Sequence, residues 1–322
     1  MKTKPKTPET PTTPSANGHG RKIHPVIIYP FSQPKNTADL AELYGTLVSR
    51  LAAEPNRFAH PITVINQQTF HRNHKSLKST FDSFCEKTVK KHSRILHGWC
   101  VDTCQMWLAG LGEAFDNKST TDDVFWLIPG DFNYASNTGH EVLKQLEAIP
   151  TTVESGDAEL CLGEIDVGVN SSKQLIDTYG TYGLLYNWFP AEAQGIRRLT
   201  DKPRSEFFAI SHDYLKTVLV KQRWYAYEQT IVILLQGMQG DRPMREIRKF
   251  RLGDLADDSA HRDGLASAMQ QVERTERVLK LYWRELNERQ DPLWPERFRR
   301  LDHQSEQIRG SAMVILQQIL EQ

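Results

Sequence analysis

Several features that define common protein classes are scarce or missing in this sequence of 322 residues. Its 4 cysteines are too few for a disulfide scaffold, so we expect reduced, packed thiols. The 40 Lys and Arg residues balance 40 Asp and Glu residues, so no overall field favours nucleic acid or a membrane surface. No apolar run approaches the roughly 20 residues of a membrane span, and the first residues lack the apolar core of a secretory signal. The expected location is therefore the cytoplasm.

The sequence also lacks the motifs of several large enzyme classes. It contains no GxGxxG after a strand pattern, no GxxxxGK[ST], no GxSxG and no HExxH. Two pairs have metal-ligand chemistry, His71 with His74 and Cys100 with Cys104, but neither has a clear further ligand nearby. These absences argue against dinucleotide, P-loop, hydrolase and zinc-protease chemistry.

The first half of the chain alternates between strand and helix patterns. Short β-branched runs are typical of strands buried on both faces, and apolar residues at three- and four-residue spacing are typical of helices. The strand patterns lie in 24–31, 61–70 and 122–132, and the helix patterns lie in 36–54, 95–115 and 140–149. This alternation predicts an α/β fold with a mostly parallel layered sheet flanked by helices.

Composition divides the chain into three parts. Residues 1–22 are rich in Pro, Thr and Lys, and we expect a disordered tail there. Residues 23–240 carry the α/β pattern. Residues 241–322 are charged and helical, and we expect either a helical appendage on the α/β core or a surface that forms a homodimer.

Polar residues follow the predicted strands at the point where each strand ends. In a parallel sheet with right-handed crossovers, the carboxyl ends of the strands share one edge, which is where open α/β sheets bind ligands. We expect the residues after the first three strands to meet there, namely Phe31, Asn66, Gln67 and Asp131. A further strand pattern near 158–168 leads to Glu164 and Asp166.

In this order of elements, over about residues 24–240, the chain resembles the GT-A-type nucleotide-sugar glycosyltransferases, in particular the inverting family that uses UDP- or GDP-linked donors. The resemblance implies that "YPFSQP", with Phe31, borders the nucleotide, and that Asn66 and Gln67 stand where an Asp normally contacts the base. It implies a divalent metal, Mg²⁺ or Mn²⁺, held by an Asp-x-Asp pair. Here "IPGDF" supplies only Asp131, because Pro129 occupies the first acidic position, and one carboxylate is a poor site for a hard cation.

The resemblance also implies roles for residues further along the chain. Glu228 stands at the start of an apolar helix, in the place of the catalytic base, with Glu164 and Asp166 as the next candidates. Arg204 or Arg223 would steady the leaving diphosphate. The implied donor is a nucleotide sugar, and the acceptor is a hydroxyl on a sugar, lipid or protein that the sequence does not specify.

Each assignment has a structural alternative. Glu228 can simply favour the positive end of its helix, Asp131 can be a turn residue, and Arg204 can be an ion-pair partner. The pair Trp188–Phe189 is either core packing or a flat apolar surface for an acceptor. The alternative for the whole chain is a non-catalytic α/β scaffold or a degenerate transferase that acts as an interaction protein. A third option, nucleotidyl transfer, lacks the expected glycine-rich, basic loop after the first strand.

Overall fold

The computed structural model describes residues 22–29, 45, 47–65, 79, 82–83, 85–97, 103–116, 119–130, 144–166, 175–221, 229–251 and 264–320. Seven strands form one sheet in the order β3-β2-β1-β4-β6-β5-β7. The strands are β1 (Ile23–Tyr29), β2 (Ile62–Ile65), β3 (Arg94–His97), β4 (Val124–Pro129), β5 (Leu160–Asp166), β6 (Phe208–Ser211) and β7 (Met244–Arg251). Only β6 runs opposite to the strands beside it, since it pairs antiparallel with both β4 and β5.

Helices flank this sheet on both sides. The longer α-helices are α1 (Thr103–Asp116), α2 (Ala148–Glu154), α3 (Tyr182–Trp188), α4 (Pro190–Leu199), α5 (His212–Lys221), α6 (Gln229–Gln239), α7 (Gly264–Asn287) and α8 (Trp294–Leu320). A turn of π-helix, Ile176–Thr181, leads directly into α3, and another, Cys85–Val89, continues into the short helix Lys90–His92.

The strands carry apolar side chains on both faces because both faces are covered. On one face Val26, Phe125 and Leu162 pack against α1 and α3–α8. On the other face Ile27 and Trp126 pack against residues 47–51, Cys85, Val89 and α2. The predicted α/β fold, a mostly parallel layered sheet flanked by helices, is confirmed.

The C-terminal helices α7 and α8 pack on the first of these faces rather than standing apart. The indole N–H of Trp188 in α3 donates to Ser305 Oγ in α8 over 2.6 Å. The Asn187 amide donates to the carbonyl of Leu301. Apolar residues of both helices belong to the same core as β1 and β4. The helical C-terminal part is thus continuous with the α/β core, and its predicted homodimer contact stays a prediction.

Two strands escape the sequence patterns. The helix predicted over 95–115 is wrong at its start, because residues 95–97 belong to β3 and the described helix α1 begins at Thr103. The sequence "MREIRKFR" of β7 is highly charged and lies within the range 241–322 that was expected to be helical. Both strands are at the ends of the strand order, where charged residues are common because they discourage pairing with another chain. Within the described helices, none combines the length and apolarity needed to cross a membrane.

Candidate active site

The strand order reverses between β1 and β4. The chain proceeds from β1 outward to β2 and β3, then returns to place β4 on the other side of β1. At this switch point the backbone N–H of Gly130 donates to the carbonyl of Ile28 over 2.8 Å, one residue beyond the end of β4. Crevices outside the carboxyl ends of strands at such a point are the usual ligand sites of open α/β sheets. The edge at which β1–β5 and β7 end is called the carboxyl edge below.

The sequence around Pro129 fits this position. Proline lacks a backbone N–H and is therefore poorly suited to the interior of a sheet. Here Pro129 is the last residue of β4 and is opposite Ile28, whereas the pairing of β4 with β6 already ends at Leu127 and Phe208. Asp131 is two residues further along, outside the described residues.

Ser205 connects three elements at the carboxyl edge. Its hydroxyl donates to the carbonyl of Gly163 in β5 over 2.7 Å and accepts the N–H of Phe207 over 3.2 Å. Its carbonyl accepts the hydroxyl of Thr230, near the start of α6, over 3.0 Å. We call this set of contacts the Ser205 junction. It fixes the start of α6, the helix that follows Glu228, beside the carboxyl end of β5 and the start of β6.

Arg204 is adjacent to that junction and its guanidinium group is buried. Its Nε lies 2.5 Å from Asp177 Oδ1, and the two side chains are 8% and 5% exposed. One terminal nitrogen donates to Gln271 Oε1 in α7 over 2.6 Å. The hydroxyl of Thr181 donates to the same Asp177 oxygen over 3.2 Å. These four residues are called the Arg204 cluster; they join the segment before β6 to the π-helical turn and to α7.

A tyrosine borders the Arg204 cluster. The hydroxyl of Tyr182, the residue after Thr181, donates to the carbonyl of Thr200 over 2.5 Å, and the Arg197 guanidinium lies 4.5 Å from the Tyr182 ring centroid. Burial raises the pKa of this hydroxyl, and Arg197 only partly opposes the rise. Tyr182 is therefore a hydrogen-bond donor and not a base at neutral pH.

Glu164 and Asp166 both lie in β5, near its carboxyl end. In the parallel pairing, Gly163 is opposite Ile247, and Ile165 is opposite Phe250. One residue of β5 thus spans two residues of β7, which is a bulge, a feature that is common at sheet rims and next to active sites. The pairing ends with Asp166 opposite Arg251, so acidic and basic positions adjoin at the carboxyl edge.

The structure places the other predicted residues to different extents. Phe31, Asn66, Gln67, Asp131, Arg223 and Glu228 lie outside the described residues. Phe31 follows β1, Asn66 and Gln67 follow β2, and Asp131 follows β4. The last described residues of these three strands lie at the carboxyl edge. Trp188 and Phe189 are core residues, 2% and 5% exposed, so the packing interpretation describes them.

Three members of this region had no signal in the sequence. Ser205, Asp177 and Gln271 lie in a short loop, a π-helical turn and a charged helix, where such residues are common. The burial of Asp177 together with Arg204, which marks them as a pair, is visible only in the structure. Among the described residues, no group of three or more His, Cys, Asp or Glu side chains could hold a metal ion.

Comparisons with known proteins give matches among solved structures only; no protein-family model and no curated protein matches the chain. The chain is similar to glucosyl-3-phosphoglycerate synthase from Mycobacterium tuberculosis in complex with phosphoglyceric acid, at 12% identity and a TM-score of 0.48 over 79% of this chain and 81% of that one. A second structure of that enzyme, with Mn²⁺, UDP-glucose and phosphoglyceric acid, matches at 12% identity and a TM-score of 0.47, covering 79% of this chain and 80% of that one. A third, with Mg²⁺ and UDP, matches at 12% identity and a TM-score of 0.48, covering 81% and 80%.

All three matches have TM-scores below 0.5 and an identity of 12%. No fold assignment, residue role or activity is taken from them.

Proposed function

We propose that this protein is a glycosyltransferase that moves a sugar from a nucleotide-diphosphate donor to an acceptor hydroxyl. The observation that carries the proposal is the switch point between β1 and β4, where Gly130 N–H bonds to Ile28. Asp131 follows this bond directly, and Phe31 follows the end of β1. The donor would bind across this point, with its diphosphate over the carboxyl edge.

The Ser205 junction supports the second half of the proposal, the position of the base. Thr230 is two residues after Glu228, and its hydroxyl is bonded to the Ser205 carbonyl at the same edge. We therefore expect Glu228 to lie near the edge where the donor is proposed to bind. Glu164 and Asp166, at the carboxyl end of β5, are the next candidates for the base.

The proposed chemistry is a single displacement. The Glu228 carboxylate takes the proton of the acceptor hydroxyl, and the oxygen attacks the anomeric carbon of the sugar. The bond between that carbon and the diphosphate oxygen breaks, and the nucleotide diphosphate leaves with both bonding electrons. Arg223 would contact the developing charge, whereas Arg204 already has two nitrogens bonded to Asp177 and Gln271. Asn66 and Gln67 would hydrogen-bond the base.

A divalent cation fits the site only together with the bound diphosphate. Asp131 is the single carboxylate after β4, because Pro129 occupies the place of a second one. Mg²⁺ is commonly held by one or two carboxylates plus substrate phosphates and water, so Asp131 and the diphosphate would hold it here. Such an ion would supply charge neutralisation for the leaving diphosphate. Without an ion, Asp131 would contact the donor ribose.

Pro129 also favours the second candidate function, a degenerate transferase that keeps the fold and serves as an interaction protein. Both candidates predict the same sheet, but only the enzyme predicts donor turnover. The two are therefore separated by measuring binding and turnover on the same preparation.

The experiment is a thermal-shift panel of UDP, GDP and CDP and their glucose conjugates, each with Mn²⁺, with Mg²⁺ and with a chelator. For a ligand at about 100 times its Kd, binding adds roughly 2.7 kcal/mol to the free energy of unfolding. We expect one base to raise the melting temperature, and its sugar conjugate to release nucleoside diphosphate when a panel of hydroxyl acceptors is added. Binding without any release of diphosphate supports the degenerate transferase, and no shift with any nucleotide refutes the enzyme.

A further inference from the structure

We propose that Arg204 is a positioning residue, and that the Arg204 cluster makes the C-terminal helix α7 part of the support for the carboxyl edge. The inference rests on the proposed function where it names Glu228 as the group whose position is controlled. It starts from an arginine that is 8% exposed and paired with an aspartate that is 5% exposed. A buried ion pair adds little net stability, and in some proteins its role is to specify one geometry.

The contacts of Arg204 are directional. Its Nε and one terminal nitrogen reach two different elements, the π-helical turn through Asp177 and helix α7 through Gln271. A planar guanidinium group bonded at two nitrogens is fixed in position and in orientation, unlike a lysine ammonium at the same place. These two bonds fix the Arg204 side chain, and through it the backbone of Arg204 and of the adjacent Ser205.

Ser205 transmits this position to α6. Its carbonyl accepts the Thr230 hydroxyl over 3.0 Å, while its own hydroxyl is anchored on the Gly163 carbonyl over 2.7 Å. This route thus connects the start of α6 to α7 through two adjacent residues, Arg204 and Ser205. If Gln271 releases the guanidinium, the segment Arg204–Ser205 that bonds Thr230 loses its described hydrogen bond to α7.

A glycine confirms that α7 is close to the π-helical turn. A Cβ added to Gly180 would be 2.6 Å from Val272 Cγ2, which is closer than side-chain atoms approach each other. Val272 is the neighbour of Gln271 and is 1% exposed. The absence of a side chain at Gly180 therefore lets α7 approach near enough for Gln271 to reach Arg204.

The test compares two hydrogen bonds made by side chains of α7, one near the start of α6 and one near its end. Gln271→Leu removes the acceptor for Arg204 near the start of α6. The matched control, Tyr282→Phe, removes the bond from α7 to Gln239 at the far end of α6, which is 2.7 Å long. Gln271→Glu restores an acceptor for Arg204 and serves as the rescue variant. Hydrogen exchange is measured for peptides covering 204–208 and 229–234, together with kcat and the KM for the donor.

We expect Gln271→Leu to speed exchange in both peptides and to lower kcat by about tenfold to a hundredfold, with the donor KM unchanged, because a misplaced base affects the reaction and not donor binding. Tyr282→Phe should change neither, and Gln271→Glu should recover both. The inference is overturned if exchange at 229–234 is the same in Gln271→Leu and Tyr282→Phe, or if kcat falls equally in both. If the two variants differ in exchange as expected but the wild-type protein transfers no sugar, the proposed function is refuted and the support of α6 by Arg204 stands.

Discussion

The two edges of the sheet contain similar residue types but differ in how those residues are engaged. At the edge where the parallel strands begin, called the amino edge below, Asp123 accepts the N–H groups of Lys22 and Thr120 over 3.1 and 2.7 Å, and His24 Nε2 is 3.1 Å from Asp123 Oδ2. A His–Asp pair in a sequence invites a catalytic interpretation. Here the carboxylate fixes the start of two neighbouring strands, β1 and β4. The comparison shows that residue type alone does not identify a site.

A second acidic group at the same edge is engaged in a similar way. Glu159 forms an ion pair with Arg242, whose other terminal nitrogen donates to Thr217 and whose guanidinium lies 4.7 Å from the centroid of the Tyr214 ring. At the carboxyl edge, by contrast, lie the strand ends that lead to the residues proposed to bind the donor. The amino edge is therefore expected to control stability, and the carboxyl edge to control chemistry.

The largest expected effect separates the two edges by activity. Glu228→Gln should lower the rate of transfer by about 10²- to 10⁴-fold, because the amide cannot accept the acceptor proton. Donor binding, followed by thermal shift, should persist. Glu159→Gln makes the same chemical change at the amino edge, at a side chain that is 35% exposed, and should leave the rate unchanged. Equal rates in Glu228→Gln and the wild type would remove Glu228 from the mechanism.

The second-largest expected effect distinguishes the two edges of the sheet by their contribution to stability. Asp123→Ala leaves two backbone N–H groups without their acceptor, and hydrogen bonds to charged groups are worth about 1.5–3 kcal/mol each. We expect a decrease of that order in the free energy of unfolding, measured by urea titration, with an unchanged transfer rate at temperatures well below melting. Asp123→Asn, which keeps one carbonyl acceptor, should fall between the two. A lower rate in the folded Asp123→Ala protein would mean that the amino edge also takes part in function.

The third prediction concerns the packing beneath the carboxyl edge, where α1 crosses β1 and β2. A Cβ on Gly110 would be 2.5 Å from Val26 Cγ1 and 2.7 Å from Val64 Cγ2, and β-branched side chains cannot rotate away easily. Gly110→Ala should therefore destabilise the protein by about 1–3 kcal/mol. Gly112, two residues later in the same helix, has no atom within 4 Å of its added Cβ. Gly112→Ala should stabilise by about 0.5–1 kcal/mol, and opposite signs in denaturant unfolding are the expected result.

The sequence predicted those strands and helices whose formation depends mainly on one local property, such as a continuous apolar run. All six residues of β4 are buried, so its continuous apolar run needed no alternation to be recognised as an interior strand. The strand β7 has the opposite property: its charge is suited to an edge, and it has no apolar signal that distinguishes it from the helical segments around it. Edge strands are determined by what pairs with them, which a local pattern does not contain.

The same limit applies to the site. Strand ends could be located from Pro129 and Gly130, because turn chemistry is local. The Arg204 cluster could not, since Gln271 is 67 positions from Arg204 and meets it only after α7 has packed on the π-helical turn. Sequence patterns thus located the strand ends where the donor is proposed to bind. Tertiary packing determined which side chains hold the neighbouring segments in place.

The smallest effect is a pH dependence that should belong to the amino edge alone. Burial lowers the pKa of His24, and the nearby Asp123 only partly opposes this decrease. Above its ordinary pKa, His24 is neutral in both the folded and the unfolded chain and contributes no pH dependence. Below that value the unfolded chain binds a proton that the folded chain does not, so the free energy of unfolding should decrease as the pH falls. His24→Gln should make the decline between about pH 7 and pH 5 shallower, and donor affinity at pH 7 should be equal in the variant and the wild type. If His24→Gln instead alters donor affinity, the two edges are coupled through the sheet, and stability and chemistry are not divided between them.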